Sequence, residues 1–96
     1  MINLFEYLND KTVFTGREDY PSFAIKANKE IATSIMNKLC EWDKSCRFTN
    51  ENFHSVRGAV INASYYKELD LVQIEGVTVN EFRKHFRISN LREASK

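Results

Sequence analysis

The stretch RFTNENFHSVRGAVINASYYKELDLVQIEG, residues 47–76, decides how the fold is interpreted. Its residues 50–54 predict a short helix, because Thr49 is a suitable capping residue. Residues 55–69 predict a longer helix, which begins at a second candidate cap, Ser55. Residues 71–79 alternate like a strand that turns near a glycine. The pattern therefore predicts helix, turn, helix and a small β-hairpin, a helix-turn-helix followed by a wing.

The longer predicted helix has two distinct faces. Small and β-branched side chains share one face at helical spacing: Val56, Ala59, Val60 and Ala63, with Tyr66 at the edge. Such side chains let two helices approach closely, as a helix-turn-helix requires. The other face is mixed: Arg57, Gly58, Ile61, Asn62 and Tyr65. This mixed face is the expected contact surface for a partner.

DNA is the first partner to consider for this face. Arginine and asparagine suit the edges of guanine and adenine, and tyrosine can bond a phosphate. The residues expected to bind nucleic acid are Ser55, Arg57, Asn62 and Tyr65 on the helix, with Arg83, Lys84 and Arg87 holding phosphates. The chain as a whole has a net charge of only +1, but residues 79–96 carry five bases and two acids. DNA binding therefore depends on where these charges lie.

Two other interpretations of the same face remain open. Ile61 and Tyr65 lie four residues apart and would form an outward apolar pair, with Arg57 beside them. Aromatic anchors of this kind are typical of protein interfaces. The residues expected to bind a protein partner are therefore Arg57, Ile61 and Tyr65. Alternatively, this face is buried beneath the N-terminal hairpin.

The other predicted helices and strands are expected to support the helix-turn-helix and wing. Residues 2–9 predict a short helix, and residues 11–16 and 22–27 predict two strands that pair as a hairpin. From Lys29 to about Asp43, apolar residues recur at helical spacing, with Asn28 as the cap. A capping box at Thr78 and Glu81 predicts a C-terminal helix that buries Phe82 and Phe86. Residues 89–96 are expected to fray.

Composition restricts the class of protein. Ninety-six residues suit one domain, with 43% hydrophobic and 28% charged residues. The sequence has neither a membrane-length apolar run nor a signal-peptide pattern, so we expect a cytosolic location. Cys46 and His54 could supply a nucleophile and base, but nothing nearby suggests a lowered thiol pKa. We therefore expect no enzymatic activity, no cofactor and no metal site. A homodimer is a further possibility, through Leu4, Phe5 and Leu8.

Residues 23–80 resemble winged-helix domains. The matching order is strand (FAIKA), helix (KEIATSIMNKLCEW), short helix (TNENFH), helix (SVRGAVINASYYKEL) and wing (DLVQIEGVTVN). Within that superfamily, the chain is similar to the N-terminal domain of phage middle-promoter transcription activators, which also carry an IKA segment and an AVVN-like helix, here AVIN at 59–62.

The resemblance implies an α+β winged helix-turn-helix with an N-terminal helix, a β-hairpin and a short C-terminal helix. It implies a DNA-binding or transcription-regulating protein, with a phage as the expected source. In those activators the domain engages RNA polymerase rather than DNA. The resemblance therefore also supports the alternative of a protein-binding adaptor or inhibitor of a host machine.

Overall fold

The computed structural model describes residues 4–9, 11–15, 21–49, 54–88 and 90–95, without the side chains of Phe5 and Ser95. In chain order the elements are α1 (Leu4–Leu8), β1 (Thr12–Thr15), β2 (Ser22–Lys26), α2 (Lys29–Trp42), β3 (Arg47–Phe48), β4 (Ser55–Arg57), β5 (Asn62–Tyr66), a 3₁₀ turn (Lys67–Leu69), β6 (Leu71–Glu75), α3 (Val79–Phe86) and β7 (Arg92–Ser95). The α+β class predicted from the sequence is confirmed.

Within the described residues, seven strands form one sheet in the order β3-β4-β5-β6-β2-β1-β7. Neighbouring strands are antiparallel except at one edge, where β1 and β7 are parallel. The predicted hairpin of β1 and β2 is confirmed, with Val13 opposite Ile25. After α3 the chain returns to the sheet, and β7 pairs with β1 as the outermost strand at this edge.

The described helices lie together on one face of the sheet. The predicted stripe of α2 is buried, because Ile31, Ile35 and Leu39 have no exposed surface. Leu8 of α1 belongs to the same core. The sheet contributes alternate side chains to this core, as a half-buried strand should. In β6, for example, Val72 and Ile74 are buried and their neighbours are half-buried.

Local capping fixes the two longer helices as the sequence predicts. The Asn28 side chain accepts a hydrogen bond of 2.9 Å from the Ile31 amide at the start of α2. At the start of α3, Thr78 and Glu81 form the predicted capping box. Phe82 and Phe86 are fully buried, which confirms their predicted docking on the core.

The longer predicted helix is wrong: residues 55–57 and 62–66 are the strands β4 and β5 of a hairpin. The apolar residues that suggested helical spacing alternate in and out of the core instead. Val56 and Ala63 are buried and directly opposite each other. Valine, isoleucine and tyrosine fit a pleated surface, so the segment also has strand propensity. The arrangement of elements does not match a winged helix-turn-helix.

Three smaller predictions are also corrected or left open. The predicted short helix falls mostly outside the described residues, and His54, its last residue, is not helical. Leu71–Glu75 forms a strand as predicted, but the expected return strand does not form, because Val79 already begins α3. The C-terminal segment expected to fray contains β7, which pairs with β1.

The turn between β4 and β5 is held by the end of α2. One carboxylate oxygen of Asp43 accepts hydrogen bonds from the amides of Val60 and Ile61, at 3.2 and 3.1 Å. The other oxygen accepts from the amide and hydroxyl of Ser45, at 3.0 and 2.6 Å. The Ser45 hydroxyl in turn accepts from the Ala59 amide at 2.7 Å. Two side chains thus satisfy three consecutive amides of the turn.

Two glycines let the chain pass close to this turn. A Cβ on Gly58 would overlap the Asp43 carboxylate and lie 3.0 Å from the Cys46 sulfur. A Cβ on Gly76 would overlap the Val60 carbonyl, and its φ of +98° favours glycine. The turn is therefore packed between Asp43 on one side and Gly76 on the other.

One further property of the helices concerns membranes. Among the residues that the structure describes, no helix has the length and apolar character needed to span a bilayer.

We predict that Gly58→Ala destabilises the protein by about 1–3 kcal/mol, because the new methyl group has no room beside Asp43. The measurement is the free energy of unfolding in urea. Val60→Ala is the matched control in the same turn, since Val60 is 58% exposed, and it should change stability by less than about 0.5 kcal/mol. Equal stability of Gly58→Ala and the wild type would contradict this packing.

We also predict that Asp43 controls acid stability. Hydrogen bonds from Ser45 and then from Ile61 lower the pKa of Asp43 from 3.8 to about 2. Because the pKa of Asp43 is lower in the folded protein than in the unfolded chain, the ionised carboxylate stabilises the fold. This stabilisation is complete above pH 3.8 and is lost as the pH falls towards 2. Asp43→Asn should lower stability near neutral pH and flatten the decline in this window. The measurement is the urea midpoint as a function of pH, with the exposed Glu68→Gln as control. A decline in Asp43→Asn as steep as in the wild type would count against this role.

Candidate nucleic-acid interface

The sheet face opposite the helices is the candidate site and is called the open face. Alternation along each strand decides which side chains lie on it. In β2, Phe23 and Ile25 point into the core, so Ser22, Ala24 and Lys26 lie on the open face, where Lys26 is exposed but Ser22 and Ala24 are only 9% and 5% exposed. No helix of the described chain covers this face.

Strand register aligns the open-face side chains into rows that cross the sheet. The central row spans six strands and consists of Ser55, Ser64, Gln73, Ala24, Phe14 and Ala94. Most of these side chains are serine or alanine, so the row forms a shallow floor, which is called the trough. With strands about 4.8 Å apart, five intervals make the trough about 24 Å long.

Longer side chains flank the trough on both sides. The row on one side consists of Arg47, Arg57, Asn62, Glu75 and Ser22. The row on the other side consists of Tyr66, Leu71, Lys26, Thr12 and Arg92. Four of these ten rim residues are basic and one, Glu75, is acidic, so the trough has a largely polar rim with an excess of positive charge.

Charge on the open face is unbalanced. Its described strand residues include four bases, namely Lys26, Arg47, Arg57 and Arg92. Glu75 is the one acid among them. The chain has a net charge of only +1, so this face is much more positive than the average surface. A positive surface of this kind attracts a polyanion.

Two of these bases lie directly opposite each other. Arg47 of β3 and Arg57 of β4 are cross-strand partners on the same face. Like charges in this position destabilise a sheet. The Arg47 guanidinium donates to the carbonyls of Lys44 and Cys46, at 3.3 and 3.1 Å, which fixes it near the start of β3. Arg57 is exposed, and Asn62 is its partner on the other side.

Aromatic rings occur at two positions on the open face. Tyr66 on the rim is 42% exposed. Phe14 on the floor is half-buried. They lie on β5 and β1, three strand intervals or about 14 Å apart. Both rings are placed where a planar group could stack on them.

The structure brings together three of the residues expected to bind nucleic acid. Ser55, Arg57 and Asn62 share the open face, although as parts of strands rather than of one helix. Tyr65 lies on the helix side, where its hydroxyl donates to an Asp70 carboxylate oxygen at 3.2 Å. Desolvation, followed by the hydrogen bond and charge of Asp70, raises the pKa of Tyr65.

The three basic residues expected to hold phosphates lie on the helix side. Arg83 is largely engaged by the C-terminal segment: its guanidinium donates to Asn80, to the Leu91 carbonyl, and to Glu93 at 3.3 Å. Lys84 and Arg87 are exposed. The residues expected to bind nucleic acid together are therefore divided between the open face and the helix side of the sheet.

The expected protein-binding patch does not form as an exposed surface. Ile61 is 2% exposed and belongs to the core, so the interpretation in which this side chain is buried holds. Tyr65 is half-buried, and Arg57 points to the opposite face of the sheet. No single surface contains the three residues.

The residues expected to form a dimer are also partly unavailable. Leu8 is fully buried, and Leu4 packs against the core. The side chain of Phe5 lies outside the described residues. Dimer formation itself stays a prediction.

Cys46 lacks the properties of a nucleophile. Its burial and the neighbouring Cys40 raise its pKa to about 12. Its thiol lies 3.6 Å from the Ile61 carbonyl and donates a weak hydrogen bond to it. A thiolate is the reactive form, and this site disfavours it. In the part of the chain described, no three potential metal ligands from His, Cys, Asp or Glu come together.

Sequence reasoning did not assign a binding role to six residues of the open face: Phe14, Lys26, Arg47, Tyr66, Gln73 and Arg92. Lys26 could have been found, because the alternation of Phe23 and Ile25 places it on the opposite face of β2. Arg92 is one of the five bases of residues 79–96, but its position on the open face had no local signal, since β7 forms only through its pairing with β1.

Comparisons with models of protein families, with curated proteins and with solved structures found no match. The functional argument therefore rests on the geometry of this chain.

We predict that Arg57→Gln stabilises the free protein by about 0.2–1 kcal/mol at low salt, because it removes the like charge opposite Arg47. The gain should shrink as salt screens the repulsion. The measurement is the free energy of unfolding in urea at two salt concentrations. Lys29→Gln removes an exposed charge from α2 and serves as control. A loss of stability in Arg57→Gln would mean that the two guanidinium groups do not repel each other.

Proposed function

We propose that the protein is a non-enzymatic nucleic-acid-binding protein that holds a single strand in the trough of the open face. The observation that carries this proposal is the excess of basic side chains around the trough, including two arginines directly opposite each other. An arrangement that costs stability in the free protein is favourable once phosphate lies between the charges.

The width of the sheet favours a single strand over a duplex. Six strand intervals make the open face about 29 Å across. The major groove of B-DNA is about 12 Å wide and admits a helix or a two-stranded ribbon. The described open face has no such projecting element. A single strand, in contrast, can lie flat across a sheet and expose its bases to it.

The chemistry of the trough suits this ligand. Its floor of small side chains leaves room for bases and sugars, and Tyr66 and Phe14 offer stacking surfaces that accept any base. Arg57 and Arg92 stand near opposite ends of the trough, where they can contact phosphates. Asn62 and Gln73 can donate and accept hydrogen bonds at base edges.

The proposal keeps the DNA-binding class expected from the sequence and replaces the recognition helix with a sheet face. A role in regulating transcription, in a phage or another source, would be one use of such binding. Protein binding is the alternative class, and Tyr66 together with Leu69, which is 57% exposed, is the feature that favours it.

We predict that a fluorescein-labelled oligodeoxythymidine binds the protein, as measured by fluorescence anisotropy. With about four phosphate contacts, the slope of log K against log salt should be about −3. Arg57→Gln should weaken binding about tenfold, because a charge-assisted hydrogen bond is lost. Lys29→Gln is the matched control and should bind like the wild type. An oligouridine of the same length tests whether the sugar matters.

Binding of duplex DNA as tightly as the single strand would contradict the trough, and salt-independent or undetectable binding would contradict the proposal. Capture of a protein from nuclease-treated lysate that Arg57→Gln leaves intact but Leu69→Ser abolishes would favour the protein-binding class instead.

A further inference from the structure

The helix side of the molecule carries a second basic surface, around the stacked rings of Trp42 and His85. These rings join the end of α2 to the end of α3, with centroids 4.3 Å apart and planes inclined by 13°. Clefts of about 390 and 510 Å³ adjoin the imidazole, and both are lined by His85 and Arg87. Each cleft has the size of a small-molecule site.

Charged side chains converge on these clefts from three parts of the chain. The bases are Lys38 of α2, Lys44 of the following loop, Lys84 of α3, and Arg87. The acids are Glu41 and Glu81, and the Glu81 carboxylate is already engaged by the Thr78 amide at 2.9 Å. In the cleft of 390 Å³, Lys38, Lys44 and Arg87 against Glu41 leave an excess of two positive charges, and in the cleft of 510 Å³, Lys84 and Arg87 against Glu81 leave an excess of one. A phosphate monoester carries nearly two negative charges at neutral pH and matches the excess in the first of these clefts.

The backbone of Arg87 supports a role for its side chain. Arg87 ends α3 in the left-handed conformation, with φ 57° and ψ 44°. Glycine is the usual residue at this position, because a Cβ is unfavourable there. An arginine in a glycine position is consistent with a guanidinium needed at the clefts.

His85 is placed to report on an anion in the clefts. Desolvation, followed by the charge of Lys38, lowers its pKa, and Glu41 opposes this effect. The other charged groups lining the clefts beside it are Lys44, Lys84, Arg87 and Glu81. A bound dianion would add negative charge near the imidazole and raise its pKa.

We infer that the cleft of 390 Å³ binds a small molecule through a dianionic phosphate group, with Lys38, Lys44 and Arg87 as the binding cations. His85 lines this cleft, and Trp42, which stacks on its imidazole, lines the neighbouring one. The site lies on the helix side of the sheet, so it is separate from the trough and does not depend on the proposed nucleic-acid binding.

The test uses the full chain and two probes, inorganic pyrophosphate and adenosine monophosphate, at constant ionic strength. NMR follows the C2 protons of the chain's two histidines, and the fluorescence of Trp42, the single tryptophan, gives the affinity. Each probe should produce a saturable change in fluorescence and raise the pKa of His85. His54 lies outside the clefts, and the probes should leave its C2 proton resonance unchanged.

Arg87→Gly is the decisive variant, because glycine suits the left-handed backbone and keeps the helix end intact. It should bind the probes at least tenfold more weakly while its thermal midpoint stays equal or rises. Lys29→Gln, which removes a charge far from the clefts along α2, should bind normally. Responses that sodium chloride reproduces, or full binding by a folded Arg87→Gly, would overturn the inference. Displacement of bound pyrophosphate by the oligodeoxythymidine would also overturn it, because the clefts would then belong to the nucleic-acid surface.

Discussion

The Asp43 carboxylate is the constraint on which the rest of the structure depends. Its two oxygens receive hydrogen bonds from the loop after α2 and from the turn between β4 and β5. The hydrogen bond of the Ile61 amide is part-buried, so this amide would be costly to leave without a partner, and the Asp43 carboxylate satisfies it. The hairpin of β4 and β5 is thereby tied to the end of α2, which is itself fixed by the core.

The open face follows from this attachment. Once the turn is fixed, Val56 and Ala63 must face the core, and their neighbours along each strand must face away. A shift of register by one residue would bury Arg57 and expose Val56. The Asp43 hydrogen bonds that hold the hairpin therefore also set the position of the basic rim, although the rim lies on the opposite side of the sheet from Asp43.

Local patterns in the sequence were sufficient to predict the helices and strands whose signals lie within a few residues of one another. The helix α2, its cap at Asn28, the capping box of α3 and the hairpin of β1 and β2 are all of this kind. The class α+β follows from them. The candidate site was predictable only in part: Ser55, Arg57 and Asn62 were selected for their chemistry, but their shared surface was assigned to a helix.

The hairpin of β4 and β5 could not be predicted, because its cause is not local. Residues 55–66 contain apolar side chains that fit both a helical and an alternating pattern. The alternating pattern is the one that tertiary contacts use: β5 pairs with β6 at five positions, and Asp43, seventeen residues from Val60 along the chain, holds the turn. Likewise, β7 has no strand pattern of its own and forms because β1 offers an edge to it. In both cases tertiary contacts override local propensity.

Two features of the chain oppose its own stability, and both involve arginine. Arg57 faces Arg47 across a strand pair, and Arg87 occupies a backbone conformation that favours glycine. Glutamine at the first position or glycine at the second would relieve these costs without disturbing the core, since both side chains are exposed. Packing and capping therefore give no reason for arginine at either position. Because local rules are most often broken where a residue serves another purpose, each arginine supports the ligand surface that we propose around it. The sheet separates these two surfaces, which makes two independent anionic ligands more consistent with the structure than one that contacts both.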